Sequence, residues 1–144
     1  MSMTISDLIL ESNKTALISI DQDGNHVQDV TYRDLNLSSS RFANALLNLG
    51  VNKTDNILVV LPRIPEWYYV LFGCAKMGAV AMPGTNLLTQ NDIEYRINRA
   101  SAKVVVVSET HVEAVDKIKN RCPTLEYLIV VRGKRPGWYS FETI

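Results

Sequence analysis

The sequence predicts an α/β fold built on a mainly parallel sheet with crossover helices, and three observations carry that prediction. The first is the stretch from Asn56 to Thr85, where a strand-length apolar run, a helix-length segment and a second apolar run are separated by proline and glycine. The second is a pair of unbroken apolar runs, Val104 to Val107 and Tyr127 to Val131, the pattern of strands covered on both faces. The third is a recurring helix start, a threonine followed three residues later by a carboxylate, at Thr31 and Asp34, Thr89 and Asp92, and Thr110 and Glu113. Strand and helix therefore alternate, as a parallel sheet with right-handed crossovers requires.

Taken in order, Ala16 to Ile20 and Gln28 to Thr31 read as short strands around the turn residues Asp23, Gly24 and Asn25, a β-hairpin-like pair over residues 16–31. A helix starts near Tyr32, stapled by Val30 and Leu35. Leu35, Phe42, Leu46 and Leu49 form its apolar stripe and Gly50 stops it. Ile57 to Leu61 is the first core strand, broken by Pro62 and Pro65. Glu66 to Met77 is the next helix, closed by Gly78, and Ala79 to Met82 is the returning strand, ended by Pro83 and Gly84.

That helix is apolar around most of its circumference, from Trp67, Tyr68, Tyr69 and Val70 through Phe72 to Met77, which predicts burial on more than one side. Its cover is expected from later parts of a longer protein. The chain alone is then expected to expose an apolar patch around Trp67, Tyr68 and Phe72, and to self-associate. Gly73 inside it costs about 1 kcal/mol relative to alanine, so a neighbouring element is expected to approach closely there. After Thr89, Ile93, Ile97 and Ala100 face inward. After Thr110, Val112, Val115 and Ile118 do the same. The helices and strands thus occupy residues 32–131 and a loop and tail occupy 132–144, within one α/β domain over 1–144.

Composition excludes several classes. With 47% hydrophobic and 21% charged residues the chain is too apolar for disorder. Fifteen basic residues balance fifteen acidic ones, so no global field draws nucleic acid or an anionic membrane. The longest apolar stretch is interrupted by Lys76 and Gly78 and reads as helix plus strand, not as a membrane span. The N-terminal segment MSMTISDLILESNK lacks a basic leader and a small-residue cleavage site, so the expected residence is cytoplasmic. Cys74 and Cys122 form neither a disulfide framework nor a metal-ligand spacing.

A strand ending in Leu61-Pro62, then Pro65-Glu66-Trp67, an apolar helix containing Gly73-Cys74, and Gly78-Ala79-Val80 before Pro83-Gly84-Thr85 resembles the start of adenylate-forming (AMP-binding) acyl-CoA synthetases. The medium-chain acyl-CoA ligase branch is the nearest likeness. Thr31-Tyr32-Arg33-Asp34-Leu35, Asp92 to Val107, Asp116 to Pro123 and Gly137-Trp138 extend it over residues 16–144. The resemblance implies the Rossmann-like N-terminal subdomain of the adenylate-forming fold. It also implies a parent enzyme that uses ATP, Mg2+ and coenzyme A to convert a carboxylic acid to its acyl-CoA. That family cradles the ATP phosphates with a Ser/Thr/Gly-rich loop ending in Pro-Lys, and no such loop occurs here. The chain is therefore expected to be the N-terminal piece of a larger ligase, structural and without catalytic residues of its own, with the rest of its enzyme as partner. The rival expectation is an autonomous α/β binding or interaction module.

Candidate chemistry within the chain is sparse. Pro83 to Asn86 lies at the carboxyl end of a predicted parallel strand, where open α/β sheets bind ligands. In acetyl-CoA synthetase relatives this turn approaches the nucleotide end of coenzyme A, so by position Thr85, Asn86 and Leu87 resemble a coenzyme-proximal segment. Those relatives meet the coenzyme's phosphate with arginines on the helix after the valine-rich strand. This chain has Glu113 and Asp116 there. His26 and His111 are expected to face solvent, and Glu109, His111 and Glu113 fit no standard metal spacing. Arg63 between two prolines reads as a structural ion pair or carbonyl cap. Arg132, Lys134 and Arg135 read as a solvated loop. No G-x-G-x-x-G follows a strand, so the dinucleotide fingerprint is missing.

Overall fold

Strand β5 (Val104–Ser108) sits at the centre because Val104, Val105, Val106 and Val107 are all sealed from water, two on each face of the pleat. The computed structural model describes residues 12–21 and 23–144. Before β5 come β1 (Thr15–Ile20), β2 (His26–Thr31), α1 (Tyr32–Asn48), β3 (Asn56–Val60), α2 (Pro65–Met77), β4 (Val80–Gly84) and α3 (Gln90–Ala100). After it come α4 (Glu109–Ile118), a 3₁₀ turn (Lys119–Arg121), β6 (Tyr127–Val131) and β7 (Tyr139–Ser140). The five later strands form one parallel sheet in the order β4-β3-β5-β6-β7, and β1 and β2 pair antiparallel as a separate two-stranded sheet. The reading of the N-terminus as lacking a leader rests mostly on residues 1–11, outside the described residues.

Register sorts the core into two layers. Leu58, Val105 and Leu128 are opposite one another, as are Val60, Val107 and Val130, so all six expected strand positions lie in neighbouring strands. Their face packs on Ile93 and Ile97 of α3 and on Val112, Val115 and Ile118 of α4. The alternate residues Ile57, Val59, Val104, Val106 and Ile129 pack on Phe42 and Leu46 of α1 and on Val70 and Cys74 of α2. Burial pushes the Cys74 thiol up to about 12.

Local chemistry sets the element ends. Thr31 and Thr89 each accept from the N–H three residues on, while Asp34 and Asp92 accept from the threonine N–H, completing both expected capping boxes. Gly78 closes α2 with φ 76°, a conformation that needs no Cβ. The expected third box is absent. Strand β5 runs on to Ser108, which pairs with Val131, and α4 starts at once with Ser108 as N-cap and no side-chain cap bond. Thr110 is consequently inside the helix and its hydroxyl turns to Ser108 and His111.

The cover of α2 also differs from expectation. Trp67, Tyr68 and Phe72 are half-buried, packed by elements of this chain: α1, the sheet, the β1–β2 hairpin and Phe141. Large apolar side chains that are exposed lie elsewhere, at Ile18, Ile20 and Val27 on the hairpin and at Leu87 and Tyr95 near the β4 edge. The close approach expected at Gly73 is present, because a Cβ there would stand 2.9 Å from the Ser39 carbonyl oxygen. Lys76, one turn away, ties the same pair of helices together. Its ammonium donates to the Asn36 carbonyl (2.8 Å), the Asn36 side-chain oxygen (2.6 Å) and Ser40 Oγ (2.7 Å), and burial lowers its pKa.

Candidate functional site

The carboxyl edge of the parallel sheet is where an α/β protein of this order offers a site. From β3 the chain leaves through α2 towards β4, and from β5 it leaves through α4 towards β6, on the opposite face. The crevice between β3 and β5 is therefore the topological switch point.

His111 lies beside it and is buried, 8% exposed, contrary to the solvent-facing expectation. With the helix starting at Glu109, position 111 falls on the same stripe as Val115 and Ile118, at i, i+4 and i+7. That spacing was present in the sequence and marks the histidine as inward. Its Nδ1 lies 3.1 Å from Thr110 Oγ1 and 3.4 Å from Ser108 Oγ, and the two hydroxyls are 2.8 Å apart. The hydroxyls thus fix the ring's orientation. His26 is exposed as expected, but on β2, with Nε2 2.8 Å from Asp29.

The basic run after β6 is tied down where a free loop was expected. The Arg132 guanidinium grips both oxygens of Glu66 at the start of α2, at 2.8 and 3.0 Å, and the backbone N–H of Arg132 donates to Glu142 at 2.7 Å. Burial disfavours the charged Glu142 carboxyl, yet hydrogen bonds from Ser140 and from the Arg132 N–H outweigh it and hold its pKa below the usual value. Arg135 reaches Asp116, which also accepts from Lys119 (2.9 Å) and from the Trp138 indole (3.1 Å). Burial opposes that carboxylate as well, and the three donors together keep its pKa low. Lys134 is exposed. Arg63 is exposed too and has no ion pair or hydrogen bond among the described residues, so the expected structural pairing is not made.

Thr85, Asn86 and Leu87 form an exposed turn after β4, in which Thr85 Oγ1 accepts the Leu87 N–H at 3.2 Å. Leu87 is 82% exposed. The turn stands at the outer end of the carboxyl edge, because β4 is an edge strand.

The residues present do not suit ATP or Mg2+. A nucleotide phosphate needs clustered N–H donors and a lysine on a glycine-rich loop, and the chain has no such loop. Among the described residues no three His, Cys, Asp or Glu side chains converge on a metal position. The helix after β5 is equally unsuited to a coenzyme phosphate, since Glu113 is held by Lys117 at 2.7 Å and Asp116 by its three donors. Two carboxylates at those places repel an anion.

A model of the AMP-binding enzyme family matches residues 10–142. The chain is 40% identical over 116 residues to the mitochondrial acyl-coenzyme A synthetase ACSM4 of Rattus norvegicus, a match that takes in 79% of this chain and 20% of the relative. It is 36% identical over 115 residues to the mitochondrial acyl-coenzyme A synthetase ACSM2A of Homo sapiens, with 78% and 20% covered. Among solved structures, the anthranilate CoA ligase AuaEII in complex with anthranoyl-AMP superposes with a TM-score of 0.82 at 29% identity, over 90% of this chain and 24% of that one. An acyl-CoA synthetase of Brucella canis shares the fold, with a TM-score of 0.79 at 24% identity over 90% of this chain and 24% of that one. The chain spans about a fifth of the length of the curated relatives it matches. No helix among the described residues is long and apolar enough to cross a membrane.

Proposed function

Because the chain belongs to the AMP-binding enzyme family, we propose that the whole protein is an AMP-forming acyl-CoA synthetase. It would join a carboxylic acid to ATP as an acyl-adenylate, with Mg2+ and release of pyrophosphate, and pass the acyl group to coenzyme A. The 40% identity to a named acyl-coenzyme A synthetase is the observation that carries this reading. The 144-residue chain alone is a structural layer without catalysis. Supporting this, it has no phosphate loop, and charged groups at its sheet edge are already spent on one another, Arg132 on Glu66 and Arg135 on Asp116. A site on rigid elements needs such a packed shell behind it.

Within the whole enzyme, the exposed Thr85-Asn86-Leu87 turn is assigned to the neighbourhood of the coenzyme's nucleotide end. The rest of the protein is the chain's partner, and the exposed Ile18, Ile20 and Val27 give the isolated chain a surface for self-association. The curated relatives are named mitochondrial, which runs against the cytoplasmic expectation.

One observation favours the rival reading of an autonomous binding module: α2 is covered from within the chain and both faces of the sheet are closed. Acid-dependent ATP–pyrophosphate exchange decides between them. The whole protein is expected to exchange with medium-chain fatty acids and the 144-residue chain to stay at the buffer blank. Exchange by the short chain would overturn its structural role, and none by the whole protein with any of a panel of carboxylates would overturn the ligase.

A further inference from the structure

We propose that the slot between the free edge of β1 and the 63–65 bend docks an extended, acidic segment of a partner protein, which adds to β1 as a third strand and meets Arg63 with a carboxylate. The slot encloses about 180 Å³. Its walls come from the hairpin and from the residues that enter α2, and the inference is independent of the ligase reading.

The open strand edge is the first observation. Strand β1 pairs with β2 on one side and with no strand on the other among the described residues. Leu17, Ile18, Ser19 and Ile20 all line the slot. Successive side chains of a strand point to opposite faces, so a slot touched by all four runs along the main chain. The N–H and C=O groups of β1 that face away from β2 make no other backbone hydrogen bond among the described residues. Outer strands are ordinarily blunted by charge, proline or short length. Here β2 carries the His26–Asp29 pair, β4 carries Pro83 and β7 has two residues, whereas β1 has neither charge nor proline. Its register with β2 is regular over Leu17, Ile18 and Ser19, the stretch that a third strand would extend.

The second observation is charge. Arg63 is the one charged residue lining the slot, and it has no ion pair or hydrogen bond among the described residues. Two carboxylates close to the walls in sequence are turned elsewhere. Glu66 gives both oxygens to Arg132, and Asp21 accepts the backbone N–H groups of Asp23 and Asn25 at 2.9 and 2.8 Å. Beside Arg63, α2 starts with Ile64 as N-cap and no side-chain cap bond, so the positive end of the helix adds to the same sign. Ile64, Pro65 and Tyr68 form the apolar remainder of that wall. A segment with an acidic residue between apolar ones answers all of these features, its main chain pairing with β1, its carboxylate reaching the guanidinium and its apolar side chains covering the wall. A free anion would answer Arg63 alone and leave the strand edge open.

The probe is the peptide acetyl-Thr-Val-Glu-Val-Thr-amide, followed by amide chemical shifts of the 144-residue chain. Saturable shifts confined to β1 and residues 63–68 are expected. Arg63→Gln should weaken binding by about tenfold, the loss of one charge-assisted hydrogen bond, and Arg63→Lys should restore part of it. Replacing the peptide's glutamate by lysine, or N-methylating its main chain, should abolish binding. Absence of shifts at millimolar peptide, equal binding by Arg63→Gln, or undiminished binding of either altered peptide would each overturn the assignment. So would slot-facing amides of β1 that are protected from hydrogen exchange before any peptide is added, in the chain or in the whole protein, because a second copy or the protein's own remaining residues would then fill the slot.

Discussion

Replacing Gly73 by alanine tests how closely α1 and α2 pack, because two opposing effects of similar size act at that position. In the helix interior alanine is favoured over glycine by about 1 kcal/mol. Against this, the new Cβ would stand 2.8 Å from Phe42 Cδ1, 2.9 Å from the Ser39 carbonyl oxygen and 3.4 Å from the Ala43 nitrogen. Neither of the two nearest atoms can give way cheaply. The Ser39 oxygen belongs to helix backbone, and Phe42 is buried among Leu46, Val70 and Cys74. Relief requires α1 to move outwards, which strains the Lys76 contacts to Asn36 and Ser40 and opens space along the Phe42 stripe. Overpacking of this kind costs about 1–3 kcal/mol, so once the gain in helix propensity is subtracted the net expectation is a loss of up to about 2 kcal/mol. Urea melts at unchanged slope measure it. Ala75→Gly, at an exposed position of the same helix, calibrates the propensity term and should cost about 1 kcal/mol alone. If Gly73→Ala instead stabilises by about that amount, the helices are not in contact at Gly73 and the layer has been misread.

Val105→Asp should destabilise by several kcal/mol, about 3–5, since the position is sealed between β3 and β6 and offers a carboxylate no partner; a melt shifted by less than about 1 kcal/mol would place the strand at a surface. Thr89→Ala should cost about 1 kcal/mol by removing an N-cap, with Thr31→Ala similar. Hydrogen bonds from the capping threonines hold the Asp34 and Asp92 carboxyls below the usual 3.8. Their contribution is therefore complete above that pH and lost as pH falls through the lower folded values, and melts in acid should show the threonine variants losing less than the parent.

The parts of this fold that were legible in the sequence are those whose cause is local. Val104 to Val107 announces a doubly covered strand because a parallel strand demands apolar residues on both faces, and Thr89 with Asp92 announces a helix start because both partners lie within one turn. Local reading failed where two rules competed for the same residues. At Thr110 the capping spacing was correct, but the pairing of Ser108 with Val131 extended β5 and moved the helix start, which also carried His111 inwards. It failed, too, where pairing is long-range. Arg132 meets Glu66 across 66 residues, Arg121 meets Glu94 across 27 and Arg135 meets Asp116 across 19, and no periodicity joins such partners.

The same distinction explains why no motif marks the cleft between α1, the start of α2 and residues 141–144. Ser38, Arg41, Tyr69 and Phe141 come from two helices and the C-terminal segment, and they converge because Gly73 lets α1 and α2 approach while Arg132, by holding Glu66 and Glu142 together, draws the last residues against both. The arginine thus has two effects at once. It pairs with Glu66 through its guanidinium, and it holds Glu142 through its backbone N–H.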